Sequence, residues 1–504
     1  MAKKNKKTVT LGPVLTIVAM IFVVIILSFI FSKLGIVTSK SELISGEVAT
    51  ANIGVNNLLS GEGIKYIFSS IINNFKDFSA IYVFIVSLIG IGIADNSGLL
   101  RRIFKGGRKF KLSFILILTM MVGCLTGGLG VNNYAILLPL TAYIYKNLNK
   151  NPLLGLFVMF FSLTIGQATG ILPTILDKNL GEITQMSAIA TVDKSFTYKS
   201  SSTIYIVISS LILFIFLGRL IFEKYLIPKL PKLKNEEEIE ELELTNHGLK
   251  YSLLSLLTIL VLTIYAIIPG LPASGFLLGD GINYLERLLG SDSPFAQSYV
   301  FIFSLMMAIP GMIYGFKSGK YKNADDFTRG FSTSFSGMSL VFVLMFLASQ
   351  LIALFSWSNL DIFLLSLLIN LLSSLQITGM ALIIIYFLII AVVSILVPDS
   401  VTKWQIIAPI AVPLLMRANI TANYAQFIFI VADGIGKSIS ILFPYTIVLF
   451  GLLYKYTDSG NYGFVKIYKL LSPVIILFTI VWIIIIITWY VVGIPTGIGV
   501  LPSL

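Results

Sequence analysis

Several apolar runs in this chain, notably residues 11–31, 203–222 and 471–492, reach the length of about 20 residues that a helix needs to cross a hydrocarbon core. Such runs constrain the fold before any motif is read. In lipid, every backbone N–H and C=O must be paired, so spanning segments without an outer-membrane pattern have to be helices. Composition agrees: the chain is 56% hydrophobic and 12% charged, with a mean hydropathy of +0.93, whereas a soluble domain carries about 25% charged residues. The first run is too long for a removable signal peptide and has no small-residue cleavage site behind it, so it reads as a retained anchor. The expectation is an all-α, polytopic membrane protein in the lipid bilayer of the inner or plasma membrane.

A net charge of +12 would point to nucleic acid in a soluble protein. Here the cations cluster beside apolar segments: Lys3, Lys4, Lys6 and Lys7; Arg101, Arg102, Lys105, Arg108, Lys109 and Lys111; Lys317, Lys320 and Lys322. That is the positive-inside pattern; it puts the N-terminus in the cytoplasm and calls for no nucleic-acid partner. Cys124 is the only cysteine and His247 the only histidine, the latter in a polar loop, which excludes disulfides, thiolate metal sites and an intramembrane histidine relay. Gly436-Lys437-Ser438 imitates the end of a phosphate loop, but Val431 stands where its first glycine belongs. With no metal-ligand spacing and no nucleophile motif, the chain reads as no enzyme and implies no cofactor. Any active transport would draw on an ion gradient, Na⁺ or H⁺, or on an unseen partner, and not on ATP bound to this chain.

Charge and breaks divide the chain into an anchor and outer segment (1–50), a first half (51–222), a charged cytoplasmic linker (223–250) and a second half (251–504). The linker carries Glu236, Glu237, Glu238, Glu240, Glu241 and Glu243 between lysine-rich ends. Residues 63–75 could lie along the interface as an amphipathic helix. In the first half, arms at 112–125 and 134–145 flank Thr126-Gly-Gly-Leu-Gly-Val-Asn-Asn133, and both flanks are basic. A segment that returns to its own side is a re-entrant hairpin, here 112–145 entering from the cytoplasm. The crossing at 152–174 is interrupted at Gly166–Gly170 and Pro173. In the second half, crossings are expected at 251–268, 299–316, 331–355 and 427–454, while 362–375 stays unplaced.

A second hairpin, 381–416, enters from the outer side. Its arm at 405–416 is short and holds Pro409 and Pro413, so neither arm reads as a full crossing, and Pro398-Asp-Ser-Val-Thr-Lys-Trp404 forms a polar tip. Irregular backbone at membrane depth survives only where protein covers it or it lines a wet cavity. The plan is about nine transmembrane helices plus two hairpins. At the spacing of 270 residues that separates Tyr134 from Trp404, Pro139 falls on Pro409 and Gly166 on Gly436. We read the halves as an inverted repeat, the architecture in which secondary transporters hold substrate near the midplane.

Candidate substrate- or ion-path residues follow from the breaks. The first tip offers Asn132 and Asn133; the second offers Asp399, Ser400, Thr402 and Lys403, with Trp404 either a stacking plate for an aromatic solute or simple packing. Asp433, beside Gly434 and Gly436 and followed by Ser438, sits in an otherwise apolar span, where a carboxylate is expensive enough to be a functional hypothesis by default. A lone carboxylate amid broken-helix carbonyls could hold Na⁺ or a proton. The alternative is a structural pair with Lys437, one turn on. Asp177 follows the Gly170–Pro173 break and could equally be an ordinary loop acid.

At these residues the chain resembles the aminobenzoyl-glutamate transporter (AbgT) family of the ion-transporter superfamily. Phe346-Leu-Ala-Ser-Gln350-Leu-Ile-Ala-Leu-Phe355-Ser-Trp357-Ser358-Asn359-Leu360 is similar to the family's F-x-x-x-Q-F-I-x-x-F-x-W-S-N-L, and Lys403-Trp404-x-x-x-Ala408-Pro409-x-x-Val412-Pro413 to its K-W-x-x-x-A-P-x-x-V-P. Weaker echoes lie at Ala94–Leu99, Asp177–Thr184 and Gly493–Gly497. The resemblance implies a homodimer, two re-entrant hairpins per subunit and cation-coupled movement of a small organic anion, aminobenzoyl-glutamate-like or antifolate in type. It makes Asp177 and Trp404 candidates for the substrate path. Carriers of dicarboxylates or amino acids, elsewhere in the superfamily, are the alternative, and an uncoupled channel a more distant one. The chain departs from the family where the chemistry should sit. Counting back from Pro444, Asp433 stands at the arginine of an Arg-x-x-Asp pair and Gly436 at its aspartate; Val131 replaces an acidic residue of the first tip, and Val401 a serine.

Overall fold

The computed structural model describes residues 12–44, 47–230, 247–281, 283–290, 292–375, 377–457 and 463–504. The lysines at 3–7 and the glutamates of the linker lie outside the described residues.

Helix α1 (Pro13–Leu34) opens with proline in its first turn, where no N–H is required, and closes on Gly35 at φ +61°. An antiparallel ribbon follows, β1 (Val37–Ile44) and β2 (Glu47–Gly54), paired from Val37 opposite Gly54 to Ile44 opposite Glu47. The ribbon is an addition to the helical fold that the sequence predicts. Such a ribbon is marginal alone, and what holds it is tertiary: the Asn370 amide donates to the Ser39 carbonyl at 2.8 Å. Two short helices, α2 (Gly61–Ser69) and α3 (Ile71–Lys76), occupy the stretch expected to be amphipathic. The strongest family-like motif docks them. Gln350 accepts from Asn74 at 3.1 Å and donates to the Ile71 carbonyl at 3.0 Å, while Trp357 stacks on Tyr66 with ring centroids 5.0 Å apart.

The first half continues with α4 (Ser79–Asn96), α5 (Leu99–Phe104), α6 (Leu112–Gly127), α7 (Asn133–Asn147), α8 (Pro152–Thr164), α9 (Ile175–Thr191) and α10 (Ile204–Ile221). The arms of the first hairpin fall where the sequence places them. The break after α8 runs over residues 165–174, and a further helix, α9, which hydropathy did not reveal, follows it. Its N-terminus is fixed by a capping box, in which Thr174 and Asp177 satisfy each other's backbone N–H.

The second half holds α11 (His247–Ile267), α12 (Tyr284–Leu289), α13 (Pro294–Lys317), α14 (Ala324–Ser334), α15 (Ser339–Trp357), α16 (Leu360–Ser374), α17 (Gly379–Leu396), α18 (Ser400–Arg417), α19 (Ala422–Ile439), α20 (Pro444–Tyr456) and α21 (Phe464–Val492). Four expectations change. The crossing at 331–355 is two helices, parted at Gly337, whose φ of +75° favours glycine. His247 opens α11 instead of lying in a loop. The unplaced stretch 362–375 is α16, packed against β1, α17 and α18. The polar tip of the second hairpin is shorter, because α18 begins at Ser400 and takes Thr402, Lys403 and Trp404 into its first turn.

Among the described residues, eight helices are long and apolar enough to cross a membrane, or nine if α19 and α20, bent by 40° at their break, count as one span. The protein is a polytopic membrane protein. The order of elements recurs: a hairpin whose second helix carries proline (Pro139 in α7, Pro409 and Pro413 in α18), then a helix that breaks and resumes. Helices α8 and α19, the first segments of the two broken elements, are buried along almost their whole length. Helix α8 is apolar all round, as a central helix is, whereas α19 takes Asp433 and Lys437 into the interior with it. Gly434 sets the approach of the two: a Cβ there would lie 2.3 Å from the Thr164 carbonyl oxygen.

Candidate functional site

A cavity of about 340 Å³ lies where both hairpin tips and both helix breaks converge. Gly127, Gly128, Gly130 and Val131 come from the first tip, Pro398 to Val401 from the second, Gln167 from the first break, and Leu442 to Tyr445 from the second. The glycines serve the geometry. Gly130 has φ +142°, and a Cβ on Gly128 would strike the Thr174 side chain at 2.4 Å. Tyr134 and Tyr445 stack with centroids 5.3 Å apart, and Phe443 meets both edge-on. One wall is therefore aromatic.

The opposite chemistry is a buried ionic cluster. Asp433 on α19 and Lys403 on α18 are fully buried, and Lys437, one turn beyond Asp433, is 4% exposed. Lys403 Nζ lies 2.5 Å from Asp433 Oδ1, and Lys437 Nζ 2.9 Å from Oδ2. Oδ2 also accepts from Ser400 Oγ at 2.6 Å and Gln167 Nε2 at 3.1 Å. The Gln167 amide reaches the Ile430 carbonyl as well, at 2.8 Å, joining the first break to α19. Lys403 gives its other donors to Ser394 Oγ (2.6 Å) and the Val397 carbonyl (2.9 Å). A buried charge is tolerable only when paired and hydrogen-bonded in this way.

This corrects the reading of Asp433. It is no lone carboxylate: two ammonium groups and two neutral donors already occupy its oxygens, which leaves little room there for Na⁺. Nor does the backbone break around it. Helix α19 runs unbroken through Gly434 and Gly436 to Ile439, and the break comes at residues 440–443. Both glycines are packing positions, since a Cβ on Gly436 would come within 2.3 Å of the Ala391 carbonyl oxygen. Ser438 donates to the Ile435 carbonyl within its own helix.

The remaining candidates divide. Ser400 lines the cavity and touches the cluster; Asn132 sits beside the cavity, accepting from the Tyr445 hydroxyl at 3.2 Å. Asn133 braces the first tip by donating to the Thr126 carbonyl at 2.8 Å. Asp399 lines the cavity but serves as N-cap of α18, accepting from the Thr402 N–H at 2.7 Å. Thr402 itself faces another hollow, beside Lys40 and Gln405. Trp404 is fully buried away from the cavity; its indole N–H donates to Thr184 Oγ1 at 3.0 Å, and its ring packs 4.4 Å from Phe429. Asp177 is the capping residue of α9 and does not line the cavity. In this conformation both hold the frame together: the Trp404 indole N–H is engaged, and Asp177 Oδ2 accepts from the Thr174 backbone N–H and hydroxyl.

Sequence reading passed over Gln167, Lys437 as a cavity residue, Ser394, Tyr134 and Tyr445. Gln167 could have been found, as a polar side chain inside a glycine break. Ser394 and Tyr445 carry no local signal, since only folding brings them to the cluster.

Residues 9–504 match the model of the AbgT putative transporter family. A p-aminobenzoyl-glutamate transport protein of Escherichia coli is 25% identical over 497 residues, which covers 98% of this chain and 94% of the relative. Among solved structures, the YdaH transporter of Alcanivorax borkumensis, described as having an unusual topology, aligns with 97% of this chain and 100% of its own at 23% identity and a TM-score of 0.49. MtrF of Neisseria gonorrhoeae, described as illuminating a class of antimetabolite efflux pumps, aligns with 98% of each chain at 24% identity and a TM-score of 0.47.

Proposed function

The chain belongs to the AbgT transporter family, and from that premise we propose that it is a secondary transporter of small organic anions bearing a carboxylate and an aromatic ring, aminobenzoyl-glutamate-like or antifolate in type. The observation that carries this reading is the cavity itself. Lys437 supplies a cation and Ser400 and Gln167 supply polar partners at one wall, while Tyr134, Phe443 and Tyr445 supply an aromatic surface at another. An ammonium beside an aromatic wall suits a carboxylate attached to a planar body. The Escherichia coli relative is named for a solute of the same class. Movement against a gradient would draw on Na⁺ or H⁺, with the coupling ion held elsewhere than on Asp433 alone.

Helices α6 and α7, with 16 and 15 residues, are about 24 and 22 Å long at 1.5 Å per residue, short of a hydrocarbon core of about 30 Å. In this reading both hairpins are re-entrant, from opposite sides, so that α17, although long and apolar enough to cross, turns back at the second tip, in a homodimer with its N-terminus in the cytoplasm. Single cysteines at Lys111 and Lys146, in a background lacking Cys124, should both react with impermeant reagents from the cytoplasm. Reaction of one from outside would remove the inverted repeat.

Transport is tested with the full chain in liposomes, following uptake of labelled p-aminobenzoyl-glutamate under imposed Na⁺ and pH gradients. Saturable uptake that depends on one gradient is expected. Flux linear in concentration and indifferent to both gradients would indicate a channel. Saturable uptake of labelled succinate or a labelled amino acid, with none of p-aminobenzoyl-glutamate, would favour the dicarboxylate or amino-acid alternative.

A further inference from the structure

The cluster holds two buried ammonium groups and one buried carboxylate, and we infer that a substrate carboxylate completes it, so that the carrier reorients rapidly only with an anion aboard and runs faster as an anion exchanger than as a net carrier. This rests on the functional reading above and adds to it the charge that the site must take and the step that this charge controls.

The two lysines are not equivalent. An ammonium has three donors. Those of Lys403 all have partners in Ser394 Oγ, the Val397 carbonyl and Asp433 Oδ1. Lys437 donates to Ser400 Oγ at 2.5 Å and to Asp433 Oδ2 at 2.9 Å, and its side chain lines the cavity, 6.0 Å from the centre of the Phe443 ring. It is the member of the cluster with a donor to offer a ligand, and its charge is the one that Asp433, already matched by Lys403, leaves over.

The groups that face the cluster do not cancel that charge. Helix α17 brings the Ser394 hydroxyl, the first break brings the Gln167 amide, and α7 and α20 bring the Tyr134 and Tyr445 phenols. Asp399 is the other carboxylate at the cavity, but it is exposed, it caps α18 through the Thr402 N–H, and among the described residues the ion pairs of both lysines go to Asp433. While the cavity is open, water can reach the small part of Lys437 that lines it. To pass from one side to the other the carrier must close the cavity, and an uncompensated ammonium then loses that water in a medium of low dielectric. A bound carboxylate supplies the missing charge. The ligand class is thus an organic anion presenting one carboxylate to Lys437 with its ring against the Tyr134–Tyr445 wall.

The test uses the full chain in liposomes with valinomycin and equal potassium on both sides, so that membrane potential does not contribute. Initial uptake of labelled p-aminobenzoyl-glutamate is compared between liposomes containing the unlabelled anion and liposomes containing potassium chloride alone. Internal anion should speed uptake about tenfold or more, given the penalty for an unpaired buried charge. Equal rates in saturable wild-type uptake would refute the inference and leave the functional reading standing. Absence of saturable uptake in both would defeat that reading, and this inference with it. Lys437→Gln leaves Asp433 and Lys403 matched one to one, so the ratio should fall close to unity while Lys437→Arg retains it. A Lys437→Gln carrier that keeps the full ratio would assign the controlling charge elsewhere. The wild-type comparison decides the matter even if that variant does not fold.

Discussion

The two hairpins share a plan and differ in what ties down their tips. The first, between α6 and α7, is glycine-rich and uncharged, and neutral hydrogen bonds hold it: Asn133 to the Thr126 carbonyl, and the Tyr445 hydroxyl to Asn132. The second, between α17 and α18, is held by ions, with Lys403 reaching across to Asp433 on α19. Each tip faces the same cavity, so recurrence of backbone order does not carry recurrence of chemistry. A tip built on glycine can move at little electrostatic cost. One pinned by a buried ion pair moves with its partner helix as a unit.

The sharpest way to break this comparison is to delete the carboxylate that pins one tip and the neutral bond that holds the other. Asp433→Ala leaves two buried ammonium groups without a carboxylate and should cost about 3–5 kcal/mol of stability. Asn133→Ala removes a single neutral bond and should cost about 1 kcal/mol. Thermal melts in detergent measure both, and equal losses would mean that the ionic tie does nothing special.

Packing against α8 gives the next contrast. Gly434→Ala forces a Cβ into the Thr164 carbonyl, an overpacking worth about 1–3 kcal/mol. At Gly127 the added Cβ stands 3.0 Å from the Leu163 carbonyl, so Gly127→Ala should be milder, and the same melts rank the two. Within the ionic tip, Lys437→Gln should raise the half-saturating anion concentration about tenfold, the worth of a charge-assisted bond, with stability nearly unchanged because Asp433 and Lys403 remain paired. Concentration-dependent uptake reads this directly.

The smallest effects sharpen the division between cap and ligand. Asp399→Ala removes the N-cap of α18 and should cost about 0.5–2 kcal/mol. Thr402→Ala should stay within about 0.5 kcal/mol and leave uptake intact, because only the backbone N–H of Thr402 is engaged at the tip. The sequence had grouped these two as equal members of one polar tip. A Thr402→Ala carrier with impaired uptake would restore that grouping.

What the residue order determined by itself was the membrane class, most of the spanning helices and the positions of both tips, because spanning length, hydropathy and proline or glycine breaks are local properties. The family-like motifs were legible for the same reason, although the strongest, at Phe346–Leu360, proves to dock α2 and α3 and to lie outside the cavity's ionic cluster. Asp433 was legible as anomalous, but most of its partners were not. Lys437 could be anticipated at one helical turn, whereas Lys403, Ser394 and Gln167 converge on α19 from three other segments. Only tertiary structure decided that a carboxylate expected to hold a cation is already matched by lysines. It decided too that Gly434 and Gly436 are contact points in an unbroken helix, and that Trp404 and Asp177 brace the frame. The physical reason is range: hydropathy and helix-breaking act within a few residues, whereas the charge balance of a buried site depends on groups that come together only when distant helices pack.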